Sequence, residues 1–159
     1  MPTPTRTDRP SAERRWQRAP VRLVALVLGG IYLVLGVAGF FVPGNAGSTS
    51  AGPFGTHATQ YTLLIFSVSP LLNFLHTFVG VLGVVAARKV SSTALYALAL
   101  AVGFAGLSAY SVLVLSFGTG DRLNLNWADV VLHLITTAVA AVLAYLAFQA
   151  RQRPNGRKS

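Results

Sequence analysis

The chain has 159 residues, 53% of them hydrophobic and only 11% charged, with thirteen Lys and Arg against four Asp and Glu and a net charge of +9. A soluble domain carries about twice that charged share, so composition places the chain in the membrane class. Cysteine is absent, which excludes disulfides, thiol catalysis and cysteine-held metal clusters.

Residues 1–20 are rich in Pro, Thr, Arg and Ser and predict a basic cytoplasmic segment without fixed structure. Its arginines are suited to anionic lipid headgroups, each contact being worth about 1 kcal/mol near the surface. Then come four apolar runs, each near the roughly 17 to 25 residues that a transmembrane helix needs. They cover 21–42, 70–87, 92–117 and 127–148, and predict an all-α integral membrane protein, a four-helix bundle occupying residues 21–148. The first run exceeds the apolar stretch of about 7 to 15 residues found in a signal peptide, so it reads as a retained span. Between the first two runs, Pro43 opens a Gly/Ser/Thr-rich linker containing His57, which reads as solvated. Residues 54–69 suit either an interfacial segment or an extension of the second span, with Ser69 as helix cap and Pro70 in the first turn. Residues 149–159 form a second basic tail.

Twelve basic residues fall in the two end segments and the short loop holding Arg88 and Lys89, whereas the other two loops carry only Arg122. Positive charge marks the cytoplasmic side, so both termini are expected to face inward across the plasma (inner) membrane. Because the basic residues flank apolar runs, they argue for topology and against a nucleic-acid partner.

Helical residues advance about 100° each, so spacing converts to faces. Asn73, His76, Gly80, Gly83 and Ala87 share one stripe of the second run; Asn126, Asp129, His133, Thr136, Ala140 and Ala144 share one of the fourth. Ala25, Gly29, Tyr32, Gly36 and Gly39 line the first, and Ala99, Gly103, Gly106 and Tyr110 the third. Small residues permit close helix contact, and polar groups in a span need protein partners, so all four stripes are expected to face the bundle interior. His76 lies six residues after Pro70 and His133 six after Trp127, which suggests a parallel duplication of a two-helix unit.

Asn126, Asp129, Asn73, His76 and His133 form the candidate polar cluster. Asn126 and Asp129 have capping-box spacing; alternatively Asp129 could orient His133, one turn further on. Asn73 is expected to bond to a neighbouring helix. Thr136 and Thr137 are expected to bond back to their own helix carbonyls. For His76 and His133 the chemical readings are a bis-imidazole haem site, a quinone or small-ligand site, or a proton relay. The plainer reading is a pair of neutral histidines hydrogen-bonded inside the bundle. No nucleophile–base spacing, phosphate-cradling loop or metal motif accompanies them.

The stretch FSVSPLLNFLHTFVGVLGVVAAR, with the later NWADVVLHL, resembles a family of small four-span membrane proteins widespread in actinobacteria and known only as a domain of unknown function. That family shows an F-x-V segment, an N-x-x-H-x-x-x-G-x-x-G helix and an N-W…H helix. Here these fall on Asn73, His76, Gly80 and Gly83, and on Asn126, Trp127 and His133. The likeness spans about residues 20 to 148 and departs at Asp129. It implies the fold and the inward motif, and brings no activity. The expectation is therefore a non-enzymatic multi-pass membrane protein without cofactor, structural or binding a membrane-protein partner or a second copy of itself. The alternative is a redox-associated protein holding haem or quinone between His76 and His133. A proton or ion pathway ranks third, since Asp129 is the one acidic residue within the spans.

Overall fold

The structure, a computed structural model, describes residues 9–43, 61–118, 121 and 123–152, with side chains from residue 19 onward. Most of the linker with His57, Arg122 and residues 153–159 lie outside the described residues. The elements are α1 (Arg9–Gly39), a two-stranded hairpin of β1 (Thr62–Leu63) and β2 (Phe66–Ser67), α2 (Pro70–Ala86), α3 (Val90–Phe117) and α4 (Trp127–Gln152).

The helix boundaries differ most from expectation at the two ends of the chain. The segment expected to lack structure is helical from Arg9, because SAERRWQRA is built largely of helix formers. Helix α4 likewise runs past 148 to Gln152, taking up the start of the basic tail. By length and composition, Ala19–Gly39, α3 and α4 can each cross a membrane. Helix α2 is apolar but has 17 residues. At 1.5 Å per residue it spans about 25 Å, against a hydrocarbon core of about 30 Å.

The chain packs as two helical hairpins, α1 against α2 and α3 against α4, which touch each other more sparsely. Tyr32, Ala97, Leu100, Phe104, Ala140 and Leu143 belong to the core they share. The α1–α2 contact is a glycine seam. A Cβ at Gly29 would lie 2.7 Å from Val84 N and 2.9 Å from Gly80 O, and one at Gly80 would run into the Leu33 backbone. A Cβ at Gly36 would collide with Thr77 N, and one at Gly83 would lie 2.7 Å from the Gly29 Cα. Backbone approaches this close admit only glycine.

Helix α3 corrects the sequence reading. Gly103 and Gly106 are exposed, and a Cβ on either meets nothing within 4 Å. The buried face is Thr93, Ala97, Leu100, Phe104, Ser108 and Ser111 instead. This helix is apolar on all sides, so its few hydroxyls and its large ring set the rotation. Ser108 and Ser111 donate to Phe104 O (2.7 Å) and Leu107 O (2.6 Å). Thr93 Oγ1 lies 3.0 Å from Ala86 O and 3.1 Å from Lys89 O, closing the α2–α3 turn.

Of residues 54–69, the described part from Tyr61 does not extend α2. It forms the β1–β2 hairpin, paired Thr62 with Ser67 and Leu63 with Phe66. Leu64 and Ile65 stand exposed at its tip. Ser69 caps α2 as its spacing predicts, accepting from Leu72 N at 3.2 Å, with Pro70 in the first turn.

Candidate functional site

The site occupies the hairpin end of the bundle and has two layers. In the deeper layer each helix supplies one ring: Tyr32 from α1, His76 from α2, Phe104 from α3 and His133 from α4. Ring centroids are 5.1 Å apart for Tyr32–His76, 5.8 Å for His76–His133, 5.2 Å for His133–Phe104 and 4.9 Å for Phe104–Tyr32. The four close into a cycle of tilted, edge-to-face contacts, the geometry aromatic quadrupoles favour. The Tyr32 hydroxyl meets Thr136 Oγ1 at 2.6 Å, and Thr136 donates back to Leu132 O at 2.8 Å. Thr137 also bonds back to its own helix, at His133 O.

The second layer covers the first. Asn126 and Asp129 form the capping box their spacing predicts: Asn126 N donates to Asp129 Oδ2 (2.8 Å), and Asp129 N donates to Asn126 Oδ1 (3.0 Å). The same Oδ2 accepts from Ser67 N at 3.2 Å, so the cap also holds the β-hairpin. Three more bonds stitch the segment around that hairpin to the α3–α4 loop. Asn124 Nδ2 donates to Val68 O (2.9 Å), Ser69 Oγ to Leu123 O (2.8 Å) and Asn126 Nδ2 to Ile65 O (2.9 Å). Asp121 in turn accepts from the amides of Leu123 and Leu125.

Of the five residues read from sequence, His76 and His133 meet directly, and Asn126 and Asp129 meet in the cap. Asn73 stands against Gly39 of α1, where a Cβ would collide with its amide. The carboxylate–imidazole alternative is not formed: both nitrogens of His133 lack a hydrogen-bond partner, as does Asp129 Oδ1. His76 Nε2 and Asn73 Nδ2 are likewise buried without a partner. Orphaned donors and acceptors are rare in folded interiors, and those of Asn73, His76, Asp129 and His133 lie toward the hairpin end, whereas Tyr96 Oη is orphaned beside Gly83. Sequence reasoning had Tyr32 and Thr136 on the right stripes and Thr136 bonding back to its own helix, but gave neither a place in the site, and it missed Phe104, Ser67 and Asn124. Phe104 looked like any apolar residue of α3, and the Ser67 contact uses a main-chain amide, which no residue type announces.

The sequence profile of a domain of unknown function, DUF4383, matches residues 22–146. The chain belongs to the DUF4383 family. No curated protein and no solved structure matches it. The matched range of this DUF4383 domain starts after most of the basic N-terminal segment and ends within α4, so it contains both layers of the site.

The ring contact makes a direct prediction about the two hairpins. With His76 and His133 replaced by cysteine, a short bifunctional thiol reagent should join α2 to α4. A Phe74→Cys, Val131→Cys pair on outward faces should not join. Equal yields from both pairs would mean that the hairpins do not dock as described.

Proposed function

We propose that the DUF4383 chain is a four-span protein of the plasma membrane, non-enzymatic, with a structural or partner-binding role and both termini in the cytoplasm. The observation that carries this reading is the closed ring layer. A bis-imidazole haem would need its macrocycle between His76 and His133. The Tyr32 and Phe104 rings, each within 5.2 Å of a histidine centroid, fill the flanks of that plane. Among the described residues no group of three or more His, Cys, Asp or Glu is placed to hold a metal ion. The layer therefore reads as a polar-aromatic bolt joining two helical hairpins. The repeated pattern of ring-bearing first helix and His-bearing second helix supports a parallel duplication of one two-helix unit.

Helix α2 is read as the fourth span. Its 17 residues meet the lower length limit. The basic residues at the α2–α3 turn and the charge-poor connections at the hairpin end then give the orientation. Reporter fusions after Ser159 and at Ser91 should read cytoplasmic, and one at Ser48 should read the opposite face. A C-terminal fusion on the outer face would overturn the four-span topology.

The cofactor-free reading is tested by absorbance. Protein purified untagged from native membranes should show only its aromatic absorption; a Soret band, or a quinone recovered in stoichiometric amount, would overturn it. One observation favours quinone as the second reading. A groove of about 550 Å³ between α2 and α3 is lined by His76, Tyr96, Gly103, Gly106 and Tyr110. It gives a flat amphiphile a lateral path to His76 from the bilayer.

A further inference from the structure

At the end opposite the hairpin, Arg22 of α1, Arg88 and Lys89 of the α2–α3 turn, Ser91 of α3 and Arg151 of α4 line a pocket of about 670 Å³. Arg22 is held there by its Nε, which donates to Ala87 O at 2.6 Å. Arg151 lies over the Phe148 ring, 5.9 Å from its centroid. The pocket also receives the N-terminus of α3, a 28-residue helix whose cap, Lys89, makes no side-chain capping bond. Its first intrahelical bond runs from Thr93 N to Lys89 O, so the amides of Val90, Ser91 and Ser92 have no helical acceptor.

Four cationic side chains and a helix N-terminus thus converge with no counter-charge among the described side chains. Among the described side chains the carboxylates are Asp121 and Asp129, both at the hairpin end. From Asp129 to Arg151 along α4 is about 33 Å at 1.5 Å per residue. Such a site suits a phosphate group, which takes charge-assisted bonds from guanidinium and amide donors together.

A second feature says what the phosphate is attached to. An apolar groove of about 720 Å³ between α1 and α4 starts beside the basic pocket and is lined by Pro20, Val24, Val139, Val142 and Leu146. Ala150 lines both cavities. A polar pocket that borders an apolar groove at a shared residue suits one molecule with a charged head and a hydrocarbon tail. We propose that this end of the bundle binds an anionic phospholipid, its phosphate among Arg22, Arg88, Lys89 and Arg151 and one acyl chain in the α1–α4 groove. The inference rests on the membrane-spanning reading above, which the reporter fusions test separately.

The full chain, extracted from membranes in mild detergent, is titrated with phosphatidylglycerol, phosphatidylcholine and glycerol phosphate, and bound species are read by native mass spectrometry. Phosphatidylglycerol should bind at least about tenfold more tightly than phosphatidylcholine, and excess glycerol phosphate should not displace it. Arg88→Gln with Arg151→Gln should weaken it by about tenfold. Val142→Trp, in the groove, should weaken it while leaving those cations in place. Arg6→Gln with Arg9→Gln, which removes equal charge from the N-terminal segment, should weaken it by clearly less than the pocket pair does. Displacement by glycerol phosphate would assign the pocket to a soluble phosphate ester and overturn the lipid. Equal losses from the two double variants would reduce the effect to diffuse surface charge and overturn the site.

Discussion

Gly36→Leu and Gly80→Leu are expected to be the most damaging single substitutions in the membrane domain. At both positions even a Cβ would collide with backbone of the facing helix, Thr77 N for Gly36 and Leu33 N for Gly80. A flexible side-chain tip can swing away from an intruder; a backbone amide cannot. Overpacking typically costs about 1–3 kcal/mol, and these sites belong at or above the top of that range because α1 and α2 would have to separate. Gly103→Ala and Gly106→Ala provide the contrast. Both glycines face open space, so alanine should be neutral or stabilise α3 by up to about 1 kcal/mol through helix propensity. Thermal unfolding in detergent, followed by circular dichroism, reads all four variants. A comparable loss at Gly103 would mean that this face of α3 packs against another helix.

Asp129→Ala carries the second large expected effect. One carboxylate oxygen accepts from both Asn126 N and Ser67 N, so the substitution removes the reciprocal half of the α4 capping box and one of the bonds that hold the β-hairpin, while the Asn126 Oδ1 cap on the main-chain amide of residue 129 remains. Each of the two amides left without its acceptor costs about 1–3 kcal/mol where it is buried. Asp129→Asn, which keeps an acceptor in place, should recover much of that loss. Amide hydrogen exchange adds a local readout. Protection at Ser67 and Asn126 should fall in the alanine variant while protection in the middle of α3 holds. Unchanged exchange at Ser67 would show that Asp129 serves α4 alone.

The sequence by itself determined the class, the four helices and the buried faces of three of them. Each of those follows from local chemistry. Apolar runs bounded by Pro43-Gly44, Arg88-Lys89 and Gly118 predict the helices. The caps at Ser69 and at Asn126 with Asp129 need only residues three apart. The stripes of α1, α2 and α4 could be read because small and polar residues there fall on one side of an otherwise bulky helix. Tertiary structure decided the rest. Helix α3 has small residues on more than one face, so its rotation follows from what the neighbouring helices present: His133 and Tyr32 demand a ring, and Phe104 supplies it. The hairpin is placed by main-chain donors and acceptors of Ser67, Val68 and Ile65, groups every residue carries. The basic pocket needs residues from opposite ends of the sequence, Arg22 and Arg151, whose meeting depends on the chain crossing the bundle and returning. Periodicity reports which side of a helix avoids water or lipid; only packing decides which helix meets it there.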